Sequence, residues 1–116
     1  MGDHLESSAL RALHSQVGGD HALQQRFVGD FVALWTVRTE RLERALDQTY
    51  LEDADVVLRS IRSSSRMVGA VRLEAVAALI HGAVKRGDVP GCRLHLARLH
   101  TLGNDACREL RAHFKL

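Results

Sequence analysis

At 116 residues the chain is the size of one domain, long enough to bury a core without disulfide or metal staples. Apolar residues at 46% and charged ones at 26% exclude a disordered chain, and no apolar run reaches the length of a membrane span. A formal net charge of +2 is too small to argue for a nucleic-acid partner.

With one proline and few aromatic residues, helix is favoured nearly everywhere. A short first helix is predicted over 8–17, with Ser7 or Ser8 as its cap and Leu10, Leu13 and Val17 inward. "GGD" at 18–20 breaks it, and Asp20 is placed to cap a long helix over 21–48. In that helix Leu23, Phe27, Phe31, Leu34, Trp35, Leu42 and Leu46 repeat mostly at three and four, the spacing of an amphipathic helix. Gly29 within it has no evident purpose.

"YLEDAD" turns the chain into a helix over 53–68, with Ala54, Val57, Leu58, Ile61 and Val68 inward and Gly69 as its stop. The next helix is expected over 70–86 on Leu73, Val76, Ala77, Ile80 and Val84, closed by "KRGD". Pro90 suits the first turn of a last helix carrying Leu96, Leu99, Leu102, Ala106 and Leu110 towards the C-terminus. No repeat or low-complexity linker interrupts the series. The expected fold is all-α: residues 1–116 as one antiparallel four-helix bundle with a short additional N-terminal helix.

Cys92 and Cys107, read as lying in that one last helix, are separated by about 22 Å, beyond bridging distance. Two buried thiols are therefore expected, in a cytoplasmic protein, since no secretory leader opens the chain. The seven histidines are His4, His14, His21, His81, His95, His100 and His113. His95 and His100 are five apart, wrong for a helical metal pair, and no HExxH or CxxC is present, so no metal or other cofactor is expected. His81 falls near the edge of an apolar face, and satisfied or surface histidines are the expectation for all seven.

The most informative stretch is "RSIRSSSRMVGA" at 59–70. At about 100° per residue, Arg59, Arg62, Ser63 and Arg66 share one arc, predicted to be exposed as a basic stripe. Ile61, Ser64, Ser65 and Val68 fall opposite, with Val57 and Leu58. Small serines there allow close helix approach, and their hydroxyls can bond back to carbonyls of the preceding turn. By charge pattern alone the stripe is an ordinary solvated face.

The same stretch resembles the signature of histidine-containing phosphotransfer (HPt) domains, bundle modules that pass phosphoryl groups between receiver domains. That signature is approximately His-x-Leu-Lys-Gly-Ser-Ser-x-x-hydrophobic-Gly-Ala. Ile61 takes the Leu place and Arg62 the Lys place; Ser64-Ser65 match the serine pair, Val68 the hydrophobic position and Gly69-Ala70 the terminal pair. The likeness extends to "VGGD" before the long helix, the acidic turn, and "KRGD". Two departures fall on the chemistry: Arg59 stands where the family has its phosphorylated histidine, and Ser63 where it has glycine. A guanidinium stays protonated and offers no lone pair, so it cannot attack a phospho-aspartate.

The resemblance implies a catalytically silent module of two-component signalling. It would dock a receiver domain or histidine kinase through Arg59, Arg62, Ser63 and Arg66, with no catalytic residue and no part for nucleic acid or membrane. Two alternatives stay open. One is a genuine phosphotransfer protein, with a histidine belonging at 59 or another histidine serving. The other is a helical scaffold outside phosphorelays.

Overall fold

Each expected amphipathic segment forms helix in the computed structural model, which describes residues 4–116 and shows no strand among them. Six helices follow one another: α1 (Ser7–Gln16), α2 (His21–Asp47), α3 (Leu51–Met67), α4 (Val71–Lys85), α5 (Val89–Leu94) and α6 (Leu96–Phe114). Short connections make consecutive long helices antiparallel. α3 packs on α2 and α4, and α6 closes the ring by packing on the same two, giving a four-helix bundle. α1 lies across α2 and α3, and the molecule measures 42 × 23 × 20 Å.

The core is aliphatic. Val28, Leu42, Leu46, Leu58, Ile61, Leu73, Ile80, Leu99 and Leu110 are essentially sealed from solvent, and burying a side chain of this kind contributes about 2 kcal/mol. Trp35 is anchored by a hydrogen bond from its Nε1 to Asn104 Oδ1 at 3.0 Å. Its indole occupies the space where a Cβ on Gly103 would stand, so this glycine permits the close approach of α6 to α2.

The helix ends follow from local chemistry. Asp20 caps α2 by accepting from the Leu23 amide at 3.1 Å, and Asp88 caps α5 by accepting from Gly91 at 2.9 Å. Neither Ser7 nor Ser8 caps α1, whose N-cap is Glu6. α3 begins at Leu51, two residues earlier than expected, which places Glu52 and Asp53 in its first turn, where they oppose the helix dipole. Gly69 takes a positive φ of 77°, and its carbonyl accepts from the Glu6 amide at 2.7 Å. This contact ties the segment before α1 to the end of α3.

Other expectations on the core and the last helix are corrected by the structure. Leu23 and Leu34 lie at the edges of the apolar stripe of α2 and are exposed, while Gln24 and Thr39 are buried in their stead. The last helix is broken at His95, whose φ of −105° and ψ of 0° interrupt the ladder between α5 and α6. Cys92 and Cys107 therefore lie on different helices; both are free and buried. Gly29 would accept a Cβ with only ordinary contact to Leu116, so the fold does not require a glycine there.

Candidate functional site

The solvent-facing arc of α3 carries Arg59, Ser63 and Arg66, all exposed, as the helical phase requires. Arg59 and Arg66 keep 64% and 71% of their side chains open to water. Arg62 departs from the expected stripe: its side chain is 31% exposed and turns into the seam between α3 and α4. Ser64, expected to be buried, is half-exposed because it faces the seam with α2, whereas Ser65 is sealed. Ser64 Oγ donates back to the Ser60 carbonyl at 2.5 Å. Ser65 Oγ makes no such bond; it is buried without a hydrogen-bond partner among the described residues.

None of the three arginines is free. Arg59 Nη2 lies 3.0 Å from Asp55 Oδ2, one turn back on its own helix. Arg66 Nη2 donates to Glu74 Oε1 at 3.1 Å, across to α4. Arg62 Nη1 donates to His81 Nδ1 at 3.0 Å, and its Nε stands 3.5 Å from Glu74 Oε1, an ion pair without an aligned hydrogen bond. His81 in turn donates from Nε2 to Asp55 Oδ1 at 2.5 Å. A nitrogen that accepts from arginine carries no proton, so the ring is held as its Nε2–H tautomer by partners on both sides. His81 is 3% exposed.

This ladder moves the Asp55 carboxyl well below the ordinary carboxylate range. The hydrogen bond from His81 is the main cause; the nearby charges of Arg59 and Lys85 add to it, against desolvation.

Two open grooves flank α3, and Arg59 lines both. The one between α2 and α3 has a volume of about 500 Å³. Phe27, Phe31, Leu34 and Met67 give it an apolar wall, and Asp30, Arg38, Ser60, Ser63 and Ser64 a polar one. Leu34 owes its exposure to this groove. Arg38 is half-buried and donates from Nη1 to Ser64 Oγ at 3.3 Å; no carboxylate pairs with it among the described residues. Burial lowers its guanidinium from the ordinary value, the mark of a cation short of hydration. On the other side, Glu52, Asp55, Val56 and Lys85 border a groove of about 470 Å³ between α3 and α4.

Chemically, the α2–α3 groove offers two guanidinium donors, Arg38 and Arg59, and serine hydroxyls beside an apolar wall, against the single carboxylate of Asp30. It holds no imidazole, and arginine supplies no attacking lone pair. Among the described residues no group of three or more His, Cys, Asp or Glu side chains is disposed to hold a metal ion. His100 instead pairs with Glu43 at 2.7 Å. No described helix is long and apolar enough to cross a membrane.

Arg59, Arg62, Ser63 and Arg66 were expected from the sequence as the binding face; Arg38, Asp55, Glu74 and His81, which the structure brings beside α3's polar residues, were not among the expected site residues. The Asp55–Arg59 spacing of four was a readable signal for one pair. Glu74 and His81 lie seven apart on one face of α4, but their arginine partners become visible only once α4 is docked on α3.

No protein-family model matches the chain, and no curated protein matches it by sequence. Among solved structures it is similar to the crystal structure of histidine-containing phosphotransfer protein B from Pseudomonas aeruginosa PAO1. The match has a TM-score of 0.87 at 16% identity and covers 99% of this chain and 97% of that one. The fold is that of an HPt helical bundle.

Proposed function

We propose that this chain is a phosphotransfer-like module that does not itself carry phosphate. On this proposal it is a cytoplasmic protein of two-component relays, and it docks a receiver domain or a histidine kinase. One observation carries the proposal: Arg59, in the signature's histidine place, stands exposed on the ridge between two grooves.

The electrostatics support an acidic partner. Arg38 approaches the α2–α3 groove with no carboxylate of its own among the described residues, and Arg59 keeps most of its surface free to pair bidentately with an incoming carboxylate. The exposed Leu34 and the partly buried Phe27 and Met67 supply apolar contact beside these charges. Loss of the nucleophile removes covalent transfer while leaving the attraction intact. His81 does not stand in for the missing histidine, because both of its nitrogens are engaged and the ring is buried.

The test is incubation with a phosphorylated receiver domain and with a phosphorylated kinase, alongside the Arg59→His variant, followed by assay for acid-labile phosphate. The unmodified chain should remain unlabelled yet retain receivers or kinases as bait in a pulldown. Phosphohistidine at any of the seven native histidines would falsify the silent-module proposal.

A further inference from the structure

The ladder between α3 and α4 does more than join two helices, because one buried imidazole governs both arginines nearest the proposed docking position. His81 Nδ1 accepts from Arg62, and His81 Nε2 holds the carboxylate whose other oxygen holds Arg59. We infer that His81 is a positioning residue and proton gate for the arginine face: neutral, it restrains Arg59 and Arg62; protonated, it releases them towards an acidic partner. The inference rests on the docking function proposed above and names a control on that same face.

The proton balance is simple. A proton taken from solvent by Nδ1 uses the lone pair that Arg62 occupies, so the Arg62–His81 hydrogen bond is lost and two cations face each other. The guanidinium then has Glu74 as its remaining partner, shared with Arg66. On the other side, the imidazolium draws Asp55 more strongly and leaves less of its charge for Arg59. Three arginines stand against two carboxylates along this face, and the proton adds one further positive charge at its centre.

The charged groups that face the ring come from α3 and α4. α3 contributes Asp55 and Arg62 directly and Arg59 through Asp55. α4 contributes Glu74 through Arg62 and Lys85 through its charge on Asp55. From α5, Cys92 reaches the neighbouring Ile80 carbonyl through its thiol at 3.8 Å. Neither α5 nor α6 gives a hydrogen bond or ion pair to His81 among the described residues.

The experiment measures the affinity of one purified receiver domain, selected because the unmodified chain retains it, between about pH 8 and about pH 5.5, where histidines titrate. His81→Gln is the companion variant. Its amide can donate to Asp55 and accept from Arg62, yet takes no proton, so titration of the partner itself cancels in the comparison. His81→Phe removes both bonds, and melting temperatures check that each variant is folded.

The unmodified chain should bind about three- to fivefold more tightly at the acid end, relative to His81→Gln. The midpoint of that change should coincide with the titration of the His81 ring followed by NMR in the free protein. His81→Gln should match the unmodified chain at the alkaline end. If the two proteins show the same pH profile, or if the midpoint does not follow the His81 ring, the gate is wrong and the docking proposal stands. If the unmodified chain retains no receiver domain at any pH, so that none can be selected, the gate falls, and if it retains no kinase either the docking proposal falls with it.

Discussion

His81 gives its Nε2 proton to Asp55 Oδ1 at 2.5 Å, joining α4 to α3 from a position sealed against solvent. That bond is the main reason the Asp55 carboxyl titrates below its ordinary range in the folded protein. A carboxyl depressed in this way contributes stability above its unfolded value, near 3.9, and loses it as pH falls through the lower folded value. Melting curves for the unmodified chain and Asp55→Asn should therefore differ most above about pH 5 and converge in acid. A separation that stays constant down to about pH 2 would show that the carboxylate charge contributes nothing.

Gly69 ends α3 with φ at 77°, and a Cβ added there would stand 2.6 Å from the Glu6 carbonyl oxygen. Two penalties coincide, a backbone conformation that side chains disfavour and a clash with backbone that cannot swing aside. Gly69→Ala should lose about 1–3 kcal/mol in denaturant unfolding. Equal midpoints for the two proteins would mean that the segment before α1 is not held against this turn.

The bundle was legible because apolar spacing at three and four survives in α2, α3, α4 and α6, and because Asp20, Gly69 and Pro90 punctuate it. The break at His95 was not, since the apolar pattern runs through "LHLARL" and no glycine or proline marks the residue. The exposed arc of α3 was legible by phase, which located Arg59, Ser63 and Arg66. The inward turn of Arg62 was not, because it depends on how α4 is rotated against α3, and a single helix's periodicity carries no information on that rotation. The same holds for Arg38, whose role arises where α2 and α3 meet.

Trp35 and Gly103 test the other side of the bundle. The indole fills the position a Cβ at residue 103 would take, while its Nε1 is committed to Asn104. Gly103→Ala must push the ring off this bond or separate α2 from α6, at a cost of about 1–3 kcal/mol. The only tryptophan reports the change directly, so a shifted emission maximum should accompany the lower unfolding midpoint. Unaltered emission and stability would contradict the close packing.

Burial pushes the Cys107 thiol up to about 11 and also raises that of Cys92. Since the thiolate is the reactive species, neither should react with a thiol reagent at mildly alkaline pH while the protein is folded. Both should react on addition of denaturant. Rapid labelling of the native protein would place at least one of them at the surface.

Arg59 and Arg62, three residues apart, should separate binding from stability. Among the described residues Arg59 is paired with Asp55 alone, in an exposed contact within one helix of a kind that contributes little to stability. Arg59→Ala should therefore leave unfolding almost unchanged, while weakening receiver binding by about 1–3 kcal/mol if the guanidinium bonds a partner carboxylate in a desolvated contact. Arg62 is different because its removal strands a buried acceptor, His81 Nδ1, and leaves Glu74 with Arg66 alone. Arg62→Ala should lower stability by about 1–3 kcal/mol before any partner is present. Chemical denaturation of both variants, paired with calorimetric titration against the same receiver domain, measures the two effects independently. If Arg62→Ala is as stable as Arg59→Ala, the buried ladder contributes no net stability and the α3–α4 seam is held by its apolar residues. If Arg59→Ala binds as the unmodified chain does, the partner engages another surface.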